Sequence, residues 1–179
     1  MRYHQSEITT STLKSIMEKL LLASDSLRSQ VAKNALLALT DLFSHRPYLQ
    51  NGQIGDAEIT QSYSKLLKKA ADTNQFLSIE ASAALSNLVA NTPYAKSIQQ
   101  LNIFYEEKSV NMRKQISLSL EHIMNSIGSP NISNLPPPNR KQLFAMLVFY
   151  LGDGNQDVRI NTKKAILTLE YGNNPLGGR

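Results

Sequence analysis

What the sequence lacks excludes several classes of protein. It has no cysteine, so disulfide scaffolds, thiolate zinc sites and cysteine nucleophiles are excluded. It also has no tryptophan, and only 7% of its 179 residues are aromatic. Its longest apolar run, Leu143 to Leu151, is too short to span a bilayer, and the polar stretch Met1 to Thr12 is unlike a secretory signal. We therefore expect a soluble cytoplasmic protein that does not bind membranes.

Charged residues are also few, at 18% of the chain, and they are unevenly divided by sign. Nineteen lysines and arginines against fourteen acidic residues give a formal net charge of +5. An excess of positive charge favours acidic partners, such as nucleic acid, anionic lipid or an acidic protein surface. The basic residues are scattered and are not interleaved with aromatic residues, so we expect no nucleic-acid binding.

The residue patterns of enzymes and metal sites are missing as well. The three histidines lie in different parts of the chain and lack the spacing of metal ligands. Asp153 to Asp157 resembles the start of a calcium loop, but Val158 stands where that loop needs glycine and Lys164 where it needs glutamate. The chain has neither a phosphate-binding glycine loop nor a nucleophile elbow. We therefore predict no catalytic residue, no metal and no cofactor, and a protein that is not an enzyme.

One apolar pattern occurs four times along the chain. In each copy the apolar or small residues recur at the spacing of one face of an α-helix. The copies begin 50, 35 and 46 residues apart, which brackets the period of roughly 40–47 residues of HEAT and armadillo units. The four stripes are Leu27, Val31, Ala35 and Leu39; Leu77, Ala81, Leu85 and Leu88; Met112, Ile116, Leu120 and Ile123; and Val158, Thr162, Ile166 and Leu169.

A second helical stretch precedes each stripe. In the first of these stretches the apolar face is predicted at Ile16, Leu20 and Ala23. In the third, Thr92 is predicted to cap the helix, because threonine accepts hydrogen bonds from a helix start. The four stretches are Ile8 to Ala23, Ile59 to Ala71, Tyr94 to Tyr105 and Leu143 to Leu151.

Eight helices, paired as A and B in each repeat, predict an all-α HEAT-type α-solenoid of about four helix-turn-helix repeats. We assign residues 1–171 to this solenoid and residues 172–179 to a flexible tail. Residues 45–55 and 128–139 are predicted to be polar loops that link one repeat to the next. A single helix pair cannot bury its apolar face, so the repeats must stack around one continuous core.

Three short motifs resemble a known family. Leu27 to Lys33 (LRSQVAK) resembles the corresponding segment of CLASP-like and crescerin-like TOG domains. Leu66 to Phe76 (LLKKAADTNQF) resembles a turn of the crescerin family, the TOG array regulators of axonemal microtubules. Ser109 to Lys114 (SVNMRK) resembles the turn of the next repeat. The resemblance covers Leu13 to Leu169, as part of a TOG domain of the HEAT-repeat superfamily.

This resemblance implies a non-catalytic structural protein that binds tubulin or the microtubule lattice through the turns between A and B helices. It also implies a cytoskeletal location in the axoneme of a cilium or flagellum, with other axonemal proteins as further partners. The chain starts near what resembles the family's second repeat and has no tryptophan for the first turn, so we expect static attachment to a microtubule wall. The implied tubulin-binding residues are Ser26, Arg28, Asn74, Gln75, Phe76, Lys108, Asn111, Arg113, Asn155, Gln156 and Arg159.

Two roles stay open for several of these residues. The three arginines either contact the partner or form an internal ladder with acids such as Asp25 and Asp157. Phe76 either faces the partner or packs at the start of its helix. The alternative function is a HEAT-repeat adaptor, unrelated to tubulin, that holds a protein or peptide in the concave groove between B helices.

Overall fold

The structure of the protein is a computed structural model that describes residues 9–171, with side chains up to Leu169. Over this range the chain forms nine α-helices and one 3-10 helix, without any strand. The elements are α1 (Thr10–Ala23), α2 (Ser29–Ser44), α3 (Arg46–Gln50), α4 (Asp56–Ala70), α5 (Gln75–Asn91), α6 (Tyr94–Asn102), α7 (Val110–Ile127), the 3-10 helix (Ser129–Asn134), α8 (Pro137–Leu151) and α9 (Gln156–Tyr171). The predicted all-α fold is confirmed, and the predicted tail lies outside the described residues.

The helices form four pairs, with A helices α1, α4, α6 and α8 and B helices α2, α5, α7 and α9. Successive A helices contact one another, and so do successive B helices. Hydrogen bonds between repeats show the period directly, because the Asn91 amide donates to the Phe43 carbonyl and the Asn139 amide to the Ala95 carbonyl, both at 2.9 Å. The two pairs of residues are 48 and 44 positions apart. The predicted solenoid of four repeats is therefore confirmed.

The predicted apolar face of α1 is wrong. Ile16 is exposed, and Leu20 and Ala23 are only partly buried. The apolar run at the end of this helix satisfies the helical period in more than one register, so packing against α2 and α4 decides which face is buried. The buried residues of α1 are Leu13, Met17 and Leu21.

The predicted stripe of α2 is wrong at its start. Leu27 is fully exposed and Val31 is exposed, whereas Ala35 and Leu39 are buried as predicted. Because α2 begins only at Ser29, Leu27 precedes the helix and belongs to no helical face. The buried residues of α2 are Ala32, Ala35, Leu36, Leu39 and Phe43.

The stripes of the other three B helices are confirmed along most of their length. Leu77, Ile166 and Leu169, at the ends of these stripes, are only partly buried against the core. All other members lie in one hydrophobic core or, for Thr162, beside it. The buried members are Ala81, Leu85 and Leu88 in α5; Met112, Ile116, Leu120 and Ile123 in α7; and Val158 and Thr162 in α9.

Both links that the sequence predicts to be polar loops contain short helices instead. The first holds α3, and its Leu49 and Ile54 are buried. The second holds the 3-10 helix, where Ile132 is buried and is followed by the buried Leu135. These apolar side chains cover the ends of the core between repeats, which explains why the links fold against it.

The predicted cap of α6 is also wrong. The helix begins at Tyr94 with Pro93 in the cap position, and no side chain caps it. The Thr92 hydroxyl is buried against the Tyr63 hydroxyl and does not cap the helix.

The turns within repeats and the links between repeats lie at opposite edges of the stack, because the two helices of each pair run in opposite directions. We name residues 24–28, 71–74, 103–109 and 152–155 the turn edge, and residues 45–55, 92–93 and 128–136 the link edge. Successive turns are joined by Lys69 to Asp25 at 2.8 Å, Asn111 to the Ala71 carbonyl at 3.2 Å, and Arg113 to Asp153 at 2.6 Å. The four turns therefore form one continuous row.

Candidate protein-binding edge

Side chains within the turns begin the B helices. Asn74 Oδ1 accepts a hydrogen bond from the backbone N–H two residues further on at 3.1 Å, and Asn155 Oδ1 does the same at 3.0 Å. In the first turn, Ser26 Oγ accepts from the N–H two residues further on at 3.2 Å. Such contacts satisfy amide groups near a helix start. Three of the predicted tubulin-binding residues therefore also shape the turn edge.

Arg113 holds the third and fourth turns together. Its Nε donates to Asp153 Oδ2 at 2.6 Å, and its Nη1 donates to the carbonyls of Glu107 at 3.0 Å and Lys108 at 2.6 Å. Burial alone would raise the pKa of the Asp153 carboxyl, but hydrogen bonds from Arg113 and from the Asn155 N–H outweigh it, so this pKa is lowered. Asp153 is therefore a fixed negative charge at neutral pH.

The other two arginines are placed differently. Arg159 is half-buried, and its Nη1 donates to the Asp153 carbonyl at 2.6 Å. Arg28 is exposed and has no acidic partner among the described residues. Of the three arginines, two are therefore internal and one is free to contact a partner.

The acids named for an arginine ladder bind lysines instead. Asp25 pairs with Lys65 and Lys69, and Asp157 pairs with Lys114 at 2.7 Å. Burial would raise the pKa of Asp25, yet hydrogen bonds from both lysines lower it. The prediction that arginines form a ladder with Asp25 and Asp157 is therefore wrong, because lysines of neighbouring repeats pair with these acids.

The turn edge exposes large apolar side chains on three successive turns. Leu27 is fully exposed in the first turn. Phe76 is exposed beside the second turn, and Ile103 and Val110 are exposed in and beside the third. One exposed apolar side chain is ordinary, but a row of them along one edge is typical of a surface that binds another protein.

Phe76 is held in place by the preceding repeat. Lys33 Nζ lies 4.7 Å from the centroid of the phenylalanine ring and pairs with Glu80 at 2.9 Å. This cation covers one part of the ring, while 44% of Phe76 stays exposed. Phe76 therefore packs at the start of its helix and also faces solvent.

The turn edge is not basic. Among its residues, Asp25 and Asp153 are neutralised by ion pairs, whereas Glu106 and Glu107 are exposed and unpaired within the described chain. The edge residues carry five acids (Asp25, Asp72, Glu106, Glu107 and Asp153) and two bases (Arg28 and Lys108). A partner would therefore meet apolar and polar groups here at least as much as positive charge.

The structure brings all eleven predicted site residues to the turn edge or to the first turn of a B helix beside it. Most of them are exposed, and the others are partly buried in contacts within the protein. The exposed ones are Arg28, Asn74, Gln75, Phe76, Lys108, Asn111 and Gln156; the partly buried ones are Ser26, Arg113, Asn155 and Arg159.

The sequence interpretation missed three edge residues, Leu27, Ile103 and Val110. The apolar spacing predicts that Leu27 belongs to a helical stripe, although it precedes the helix. A usable signal exists in the sequence: a large apolar residue inside a polar turn has no helical face to join. By that criterion Leu27 and Ile103 can be found without coordinates.

A small groove lies between α5 and α7, where the adaptor alternative needs a binding site. Its volume is about 330 Å³, and its lining includes Leu85, Leu118 and His122. Ligand pockets commonly hold about 300–1,000 Å³, so this groove has room for a few partner side chains and not for a helix. Within residues 9–171, no cluster of metal-ligating side chains occurs and no helix is long and apolar enough to cross a membrane.

Known structures with some similarity include two engineered proteins and a designed armadillo repeat protein. The first engineered protein is 17% identical at a TM-score of 0.46, and the match covers 86% of this chain and 62% of that protein. The second is 18% identical at a TM-score of 0.43, and the match covers 90% of this chain and 40% of that protein. The armadillo protein is 16% identical, at a TM-score of 0.38, covering 94% of this chain and 95% of its own. The chain thus spans less than two thirds of either engineered protein.

The match to a protein family is far more extensive. The model of the family described as CLASP N terminal matches residues 3–172, nearly the whole chain. This family is TOG-like, is built from HEAT repeats and is associated with microtubules. The chain therefore belongs to the CLASP N-terminal family.

Proposed function

We propose that the protein is a non-catalytic structural protein that binds tubulin in the microtubule lattice through its turn edge. The family supports the association with microtubules. The observation that carries the binding mode is the row of exposed apolar residues Leu27, Phe76 and Val110 on successive turns. With packed helices about 10 Å apart, four turns extend over roughly 30 Å, enough to form a protein interface.

Polar and basic groups around this row complete the surface. Arg28 and Lys108 are exposed without ion-pair partners in the described chain, so they are available to the acidic surface of tubulin. The exposed amides of Gln75, Asn111 and Gln156 supply hydrogen bonds beside the apolar row. The mixture of apolar anchors with a polar rim is typical of interfaces between proteins.

The proposal extends to where the protein acts. The segment Leu66 to Phe76 supports a crescerin-like member of the family, and with it a place in the axoneme of a cilium or flagellum beside other axonemal proteins. The absence of tryptophan supports static attachment to the lattice over handling of soluble tubulin. We also propose residues 1–171 as one binding unit and residues 172–179 as a tail.

A pair of binding assays tests the function. Co-pelleting with taxol-stabilised microtubules is expected to show saturable binding, and gel filtration with soluble tubulin is expected to show weaker association. Binding to neither form would contradict the proposal and favour the adaptor that uses the groove between α5 and α7. Tight binding to soluble tubulin alone would contradict the attachment to the lattice.

A further inference from the structure

Basic side chains without ion-pair partners lie in the link edge and directly beside it. Arg46 in the first link, and Arg140 and Lys141 near the start of α8, form no ion pair within the described residues. The exposed acids on the same side are Asp41, near the end of α2, and Asp56, which pairs with Lys96. On this side of the described protein, unpaired bases therefore outnumber unpaired acids, the opposite of the turn edge.

A cleft of about 450 Å³ opens on the link edge where three links meet. The Gln50 amide oxygen, in the orientation that satisfies its hydrogen bonds, accepts from Arg46 Nε at 2.6 Å and Nη2 at 3.2 Å. This contact orients the guanidinium at the cleft and leaves its other N–H groups free for a ligand. The lining includes apolar Ala90, Pro93 and Leu135 and polar Arg46, Gln50 and Thr92.

Thr92 lies at the inner wall of the cleft. The residue is 1% exposed, and its hydroxyl lies against the hydroxyl of Tyr63, which donates to Ser97 Oγ at 2.8 Å. Thr92 therefore belongs to the buried side of the wall, and Arg46 supplies the charged group that is available to a ligand.

We infer that this cleft binds a carboxylate side chain from an acidic peptide segment of a partner protein. Guanidinium and carboxylate match in geometry and charge, and both oxygens can be engaged at once. The apolar walls cover the stem of the acidic side chain and its apolar neighbours, while Arg140 and Lys141 attract further acids along the segment. The site is separate from the turn edge, so its partner is bound independently of tubulin contacts there.

Fluorescence anisotropy with a labelled glutamate-rich peptide containing leucines tests this site. The control peptide has every glutamate replaced by glutamine. We expect the full chain to bind the first peptide and not the second, and Arg46→Gln to weaken binding about tenfold or more, as for the loss of a charged hydrogen-bond partner. Lys68→Gln removes an equal charge from an exposed lysine at the other end of α4 and should change nothing. Equal binding of both peptides, equal loss in both variants, or binding only to anionic vesicles would overturn the inference.

Discussion

Arg113 and Asp153 lie 40 residues apart in the sequence, and their side chains meet at 2.6 Å between the third and fourth repeats. The arginine also binds two carbonyls of its own turn. The contact therefore fixes both the stacking of these repeats and the shape of the third turn. The surface proposed to bind microtubules depends on an ion pair that is itself largely inside the protein.

The first prediction is that Arg113→Met destabilises the protein by about 2 kcal/mol, since it leaves a buried carboxylate without its charged partner. The measurement is urea unfolding followed by circular dichroism. Arg28→Met is the matched control, because that arginine is exposed and unpaired within the described chain, and its effect should stay within about 0.5 kcal/mol. Similar unfolding of the two variants would contradict the role given to Arg113.

The second prediction concerns the stability of the fold at acidic pH. The pKa of Asp153 lies below its ordinary value of 3.8, so the ionised carboxylate stabilises the folded state. A lowered pKa of this kind contributes stability above the unfolded-state pKa, and that contribution is lost as the pH falls through the folded-state pKa. The difference in unfolding free energy between wild type and Asp153→Asn should therefore be constant from about pH 7 to pH 5 and shrink below about pH 4. If this difference grew as the pH fell, the stabilising role given to the ionised Asp153 carboxylate would be contradicted.

The third prediction tests the core. Leu85→Asp should unfold the domain, because a buried carboxylate without a partner costs several kcal/mol out of a total stability of about 5–15 kcal/mol. Ile79→Asp on the same helix is the control, since Ile79 is largely exposed and should tolerate the change. Thermal melting of the two variants side by side gives the answer. Equal melting temperatures would mean that the buried face of α5 is misassigned.

The number of repeats and the cores of α5, α7 and α9 could be predicted from the sequence because their apolar stripes fit one helical register. The face of α1 could not, because Leu20, Leu21 and Leu22 are consecutive and several registers fit them equally well. Only stacking against α2 and α4 buries Leu21 and exposes Leu22. The helical period alone therefore cannot identify the buried face of a helix in which several consecutive residues are apolar.

The turns of the candidate site could be located from the sequence, but the partners of their charged residues could not. Asp25 meets Lys65, 40 positions away, because the second repeat stacks on the first with that offset. Such an offset depends on link length and helix packing, neither of which is visible in a single motif. The exposure of Leu27 depends in the same way on where α2 begins.

The fourth prediction separates charge from apolar contact at the turn edge. Arg28→Glu with Lys108→Glu should weaken microtubule binding only a few-fold and make it less sensitive to salt, because each exposed charge contributes about 1 kcal/mol or less. Arg113 is unsuitable for this test, since reversing its charge would disturb the fold. Co-pelleting over a series of salt concentrations measures both effects. A complete loss of binding would show that charge, and not the apolar row, dominates.

The most direct test of the central claim is co-pelleting of a double variant at the turn edge, Leu27→Ser with Phe76→Ser, on stabilised microtubules. Truncating two apolar anchors should weaken binding about tenfold or more, since interface anchors contribute above about 1 kcal/mol each. The control, Leu37→Ser with Phe144→Ser, removes two exposed apolar residues at the middle of α2 and α8, away from both edges, and should bind like the wild type. The account predicts that the loss of binding is confined to the turn-edge variant, which remains folded. Wild-type binding by the folded turn-edge variant would contradict it.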